Sequence, residues 1–182
     1  MGSRRQPFLS DEFLARKEHG GSHSVGRRKV ARPIATRRPM HMTLRSSSCR
    51  GRLSLHTKAK EIRSLVRSLA SRFQVRVSSF SNNGNHLHLL VRARSRGGFK
   101  RFLMALSGRI AQLMTGARKG RELGSRFWDH IPFTRIVEWG RDLLNVKRYI
   151  RQNILEAAGS IPYQPRNQRN RISLNAKTAI SP

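Results

Sequence analysis

Between Met40 and Ala157 the apolar residues switch repeatedly between two spacings, and that alternation restricts the chain to very few architectures. Met40, Met42 and Leu44 alternate with His41, Thr43 and Arg45, the period of a strand with one buried face. Ile62, Leu65, Val66, Leu69 and Phe73 recur at helical spacing, with Arg63 and Arg67 on the outside. Gln74 to Ser78 reads as a second strand, Asn82-Asn83-Gly84-Asn85 as a hairpin turn, and His86 to Arg92 as a third strand antiparallel to the second. Phe99, Phe102, Leu103, Leu106, Ile110 and Leu113 mark a second helix, and Phe133 to Val137 a fourth strand. Asp142 to Ala157 makes a final helix stopped by Gly159.

The order β-α-β-β-α-β with one more helix predicts an α+β fold of the ferredoxin-like or RRM-like kind. An antiparallel sheet carries two helices on one face, and the C-terminal helix carries a tyrosine. On this reading the second face of the sheet is open. Leu87, Leu89 and Val91 share one face of the third strand and meet the helices, which leaves His86 and His88 facing out.

Residues 39–158 therefore form the expected domain. Residues 1–38, rich in Gly, Ser and Arg and lacking a lasting apolar period, read as a basic flexible arm, with the run Arg27-Arg28-Lys29 as a candidate DNA contact. Residues 159–182, with Pro162, Pro165 and many Asn, Gln and Arg, read as a basic tail.

Charge narrows the partner. The chain holds 38 Lys and Arg against 9 Asp and Glu, a formal net charge of +29, and 24 of those basic against 6 of the acidic residues lie in 39–158. Self-repulsion on that scale inside a folded domain points to a polyanion, with DNA or RNA first. A membrane surface is the weaker reading, because no long helix pairs a basic face with exposed Trp or Phe. No apolar run is long enough to span a bilayer. Cys49 is the only cysteine, and Asp11, Glu12 and Glu18 stand where a secretory leader would be apolar, so a cytoplasmic protein is expected.

His86-Leu87-His88 sets two imidazoles side by side on one strand face, a spacing suited to a single divalent metal. Two ligands alone do not make a site, and a pair of solvent-facing histidines is the bland alternative. The final helix adds Asp142, Asn145, Tyr149, Asn153 and Glu156 along one polar stripe, beside an apolar stripe of Leu143, Val146, Ile150 and Ile154. Tyr149 falls on the polar side, while Tyr163 lies in the tail. A metal-suited pair, a helical tyrosine and a nucleic-acid charge balance together describe attack of a tyrosine oxygen on a backbone phosphate. Phenol is a weak acid, so attack at neutral pH needs the metal, a base or a basic neighbour. Lys147, Arg148 and Arg151 are near in sequence, and the sequence does not choose among them. Arg45 and Arg76 are further candidate DNA contacts.

These residues resemble the single-tyrosine HUH transposases, named for their His-hydrophobic-His motif, and more closely the REP-associated tyrosine transposases. The resemblance covers about residues 39–158. It is carried by Pro39-Met40-His41-Met42-Thr43-Leu44-Arg45, by Asn85-His86-Leu87-His88-Leu89-Leu90-Val91, by Phe127-Trp128 with Phe133-Thr134-Arg135-Ile136-Val137, and by Tyr149-Ile150-Arg151-Gln152-Asn153. It implies a bacterial, nucleoid-associated enzyme dependent on Mg2+ or Mn2+, with His86, His88 and Asn153 as metal ligands. Tyr149 would attack to leave a 5′-phosphotyrosine and a free 3′-hydroxyl on single-stranded DNA beside a hairpin. Relatives include monomers and domain-exchanged homodimers. The chain departs from the pattern with Asn83-Gly84 where Met-Pro is frequent, and with Asn153-Ile154 where Asn-Pro is frequent. The reading from a different class is a non-catalytic basic nucleic-acid-binding protein of the same fold, a domesticated transposase or an RNA-binding module. RNA-binding sheets of this shape place aromatics on the open face, whereas His86, His88, Arg45 and Arg76 are the expected occupants here. A metal-dependent phosphate hydrolase without a covalent intermediate would want more carboxylates.

Overall fold

The structure, a computed structural model, describes residues 17–26, 28, 30–118 and 126–164. Arg27, Lys29 and the tail from Pro165 onward lie outside the described residues. The elements run β1 (Glu18–His19), β2 (Met40–Arg45), α1 (Ala59–Arg72), β3 (Val75–Asn82), β4 (His86–Ala93), α2 (Arg96–Thr115), β5 (Phe133–Ile136) and α3 (Arg141–Ala157). They form an α+β fold in which one five-stranded sheet, in the order β1-β5-β2-β4-β3, has every neighbour antiparallel.

Sequence periods explain the layers. On one face of the sheet, Met40, Met42 and Leu44 of β2 lie beside Leu87, Leu89 and Val91 of β4, all but sealed from solvent. Against them pack Ile62, Val66 and Leu69 of α1 and Phe99, Phe102, Leu106 and Ile110 of α2. Each fully buried Phe or Leu contributes about 2 kcal/mol from removed apolar surface. Ser95 caps α2 by accepting from the Gly98 N–H, and Gly116 ends it in the left-handed conformation at φ 69°. Gly98 is needed where α2 approaches the end of α1, because a Cβ there would sit 2.6 Å from the carbonyl oxygen of Phe73.

The second face is not open, which corrects the expectation. Val146 and Ile150 of α3, with Leu143, pack onto Leu90 and Val137 and form a separate small core. Leu90 breaks the alternation of β4: its apolar side chain stands on the histidine face and gives α3 a landing point. The helix also continues unbroken through Ile154 to Ala157, as expected where proline is lacking.

Part of the segment assigned to the arm joins the sheet. Glu18 and His19 pair with Arg135 and Thr134 of β5, and Lys17 forms an ion pair with Glu138 at 2.6 Å. Among the described residues, no helix is long and apolar enough to cross a membrane.

Candidate active site

Register brings the polar groups together. Thr43 of β2 stands opposite His88, and Arg45 opposite His86, so the alternate residues His41, Thr43 and Arg45 share the face of the two histidines. The β3–β4 turn, in which Asn83 N–H donates to the His86 carbonyl at 2.9 Å, leads directly into this row. The imidazoles of His86 and His88 lie edge to face with centroids 4.8 Å apart. Neither faces open solvent: His88 is buried and His86 half-buried, because α3 covers them.

The helix arrives rotated from its sequence pattern. Tyr149 is half-buried against the sheet and Asn153 is 1% exposed, while Ile154, from the apolar stripe, is turned to solvent at 42%. Hydrogen bonding explains the rotation, since polar groups lie beneath α3 at this end. The Tyr149 hydroxyl is 3.3 Å from Nε2 of His88. Asn153 donates from Nδ2 to the Tyr149 carbonyl at 2.8 Å, and its Oδ1 accepts from Nδ2 of Asn83 at 2.9 Å. At the other end of the helix Asp142 accepts two bonds from the Arg135 guanidinium, at 2.9 and 3.0 Å, and one from the Glu138 N–H. That carboxylate in the first turn also complements the helix dipole.

His41 is a site residue that the pattern reading assigned no role. Its Nε2 lies 3.2 Å from Nδ1 of His88, and Thr43 Oγ1 lies 3.1 Å from the same nitrogen. Burial pushes the His41 imidazole down to about 4, with the positive Arg135 adding to the effect and Asp142 opposing it. His41 is therefore neutral near pH 7 and can offer a lone pair to a proton on Nδ1 of His88. That tautomer leaves the His88 lone pair on Nε2, where the Tyr149 hydroxyl donates. The signal was present in the sequence: period two puts His41 on the histidine face once β2 neighbours β4.

The donor set fits a divalent ion. His86 donates from Nδ1 to Asn85 Oδ1 at 2.6 Å, which sets its lone pair on Nε2 as well. Asn153 Oδ1 has a second lone pair beyond the bond from Asn83. Two imidazole nitrogens and an amide oxygen suit Mn2+ or Mg2+ completed by water and phosphate oxygens. Among the described residues, no group of three or more His, Cys, Asp or Glu is placed to hold a metal.

Two cavities flank the histidines. One of about 490 Å³ is lined by Arg45, His56, Asn83, His86 and Tyr163, and another of about 410 Å³ by Thr43, Arg45, Asp129 and Phe133. Arg45 borders both. Tyr163, 71% exposed, lines the same cavity as His86. Arg148 and Arg151 are exposed on the outer side of α3, and Arg28 is exposed on the N-terminal segment. Arg76 and Lys147 meet elsewhere, at the opposite end of the sheet face.

No curated protein matches the chain in sequence. A solved structure of a candidate transposase from Deinococcus radiodurans R1 resembles it with a TM-score of 0.42 at 16% identity, over 69% of this chain and 98% of that one. The family model described as transposase, IS200 like, matches residues 37–153, from just before β2 through Asn153 of α3. That span is more than half of the 182 residues and contains the whole arrangement of His41, His86, His88, Tyr149 and Asn153, so the chain belongs to the IS200-like transposase family.

Proposed function

We propose that this transposase is a site-specific endonuclease and strand transferase for single-stranded DNA carrying a hairpin, with Tyr149 as its nucleophile. The observation that carries the reading is the 3.3 Å contact between the Tyr149 hydroxyl and Nε2 of His88. It sets the phenol oxygen beside the nitrogen that would face a bound metal. DNA transposition, the activity that goes with the family, requires a strand to be cut and later rejoined.

In the forward step the Oη–P bond forms as the P–O3′ bond breaks. The phosphate remains esterified to the 5′ end and to Tyr149, the released 3′ oxygen gains a proton, and the phenol proton passes to solvent. Attack by another 3′-hydroxyl reverses the exchange and restores the phenol. His86, His88 and Asn153 would hold Mg2+ or Mn2+, which supplies Lewis-acid polarisation of the phosphate. Arg45, at the border of both cavities and 3.7 Å from Asp129, would hold flanking phosphates. Arg28, Arg148 and Arg151 add exposed positive charge that favours a polyanion, and Arg27 and Lys29 extend that charge in sequence.

The test is incubation with end-labelled, hairpin-containing single-stranded DNA and Mn2+. A protease-sensitive protein–DNA adduct should form, disappear in EDTA, and be absent from Tyr149→Phe while that variant still binds the DNA. An adduct that persists in Tyr149→Phe overturns the assignment. Tight binding with no adduct under any divalent ion identifies a binding protein instead.

A further inference from the structure

On the face that holds His88, β4 continues through Leu90 to Arg92, which lies opposite Arg76 of β3. Like charges directly opposite across antiparallel strands are destabilising, and Lys147 of α3 lines the same small cavity of about 210 Å³. Among the described residues, none of these three cations has a carboxylate partner. The acids nearest in sequence are engaged: Glu138 pairs with Lys17 and Arg38, and Asp142 with Arg135. Trp139 stands over the cavity, 54% exposed, with Pro39 and Leu143 lining it. Three unpaired cations around an exposed indole combine what an unpaired nucleotide requires, which is positive charge for its phosphates and a flat apolar surface for its base.

We propose that Trp139 with Arg76, Arg92 and Lys147 forms a second DNA subsite that stacks one unpaired base and holds its flanking phosphates. The proposal rests on the single-stranded DNA reading above and adds to it a place where the strand is gripped away from the cut. Arg92 lies four residues along β4 from His88, about 13 Å at about 3.3 Å per residue. The subsite therefore holds DNA outside the scissile step, and its loss weakens binding without removing the nucleophile.

The chain contains two tryptophans, and Trp128 is half-buried with its Nε1 donating to the Ser107 carbonyl. In full-length Trp128→Phe, emission then reports Trp139 alone. A twelve-residue oligothymidylate should quench that emission strongly, and a duplex of equal length should quench it much less. In the native background, fluorescence anisotropy with the same labelled oligothymidylate should give roughly a tenfold weaker affinity for Trp139→Ala. Trp139→Phe should recover most of that loss. Arg92→Ala should lower the salt dependence of binding by about one phosphate contact.

Unchanged affinity in Trp139→Ala overturns the subsite and leaves the nuclease proposal standing, because the adduct assay is independent of it. Equal quenching by the duplex also overturns it, since paired bases cannot stack on an indole. If the native chain binds no oligothymidylate, the subsite falls, and the adduct assay on hairpin-containing DNA decides the single-strand reading separately.

Discussion

Tyr149 and His88 stand 61 residues apart in the chain and 3.3 Å apart at their polar atoms, within a single molecule. One hydrogen bond, from Asn83 Nδ2 to Asn153 Oδ1, ties the same helical turn to the β3–β4 hairpin that carries His86, and a second holds Asn153 to the Tyr149 carbonyl within the helix. Because these groups meet within one chain, assembly of the site in cis is the expected outcome. Mixing Tyr149→Phe with His88→Ala should then give no more adduct than either variant alone. Adduct restored by mixing, measured on denaturing gels, would show that tyrosine and histidines come from different protomers.

On the proposed mechanism, His41 acts on the chemistry through His88. If Nε2 of His88 binds an ion, Nδ1 must carry the proton and needs an acceptor, and neutral His41 at 3.2 Å supplies one. His41→Phe removes it and leaves Thr43 Oγ1 as a weaker substitute. The expected result is a 10- to 100-fold rise in the dissociation constant for Mn2+, read by calorimetry. His41→Gln, which keeps an acceptor, should lose less.

How far this was readable in advance depends on what each residue packs against. Met40 to Arg45 appears as a strand with the bounds that alternation sets, because one of its faces meets α1 and α2 and the periodic signal is strong. β1 is two residues long, too short for any period, and its pairing rests on backbone bonds to β5 that side chains do not announce. The setting of α3 was misleading for a third reason. Its apolar stripe predicts which residues turn inward only if the surface beneath is apolar, and at the Tyr149 end that surface is His88 and Asn83. Polar side chains turned in to satisfy it, and Ile154 was left outside.

The buried His41 also makes stability depend on pH. Its imidazole is held down to about 4 in the folded chain, against an ordinary value of about 6.5. Between those values the unfolded ring binds a proton that the folded ring refuses, so stability falls as pH drops through this window. The loss reaches about 3 kcal/mol by pH 4. Urea unfolding in EDTA at pH 7.5 and 4.5 should show a smaller decline for His41→Gln than for the native chain. An equal decline would place the titration on another group.

Gly84 sets the direction in which β4 enters the site. Its φ of 81° lies in the left-handed region, its N–H donates to Asn82 Oδ1 at 3.0 Å, and its carbonyl accepts from Leu55 N–H at 2.7 Å. A Cβ here would meet Ser54 Oγ and His56 Cδ2, both at 3.0 Å. Gly84→Ala therefore combines backbone strain with a close contact and should cost about 1–2 kcal/mol. That corresponds to a fall of about 2–8 °C in thermal midpoint for a chain of this size. Gly84→Asn separates the two effects, because asparagine tolerates the left-handed conformation but still carries the Cβ. If strain dominates, the asparagine variant recovers most of the midpoint; if the contact with Ser54 and His56 dominates, both variants melt alike. Since Asn85 and His86 follow the turn directly, Mn2+ affinity should fall in whichever variant moves the hairpin, even at temperatures where circular dichroism shows the fold intact.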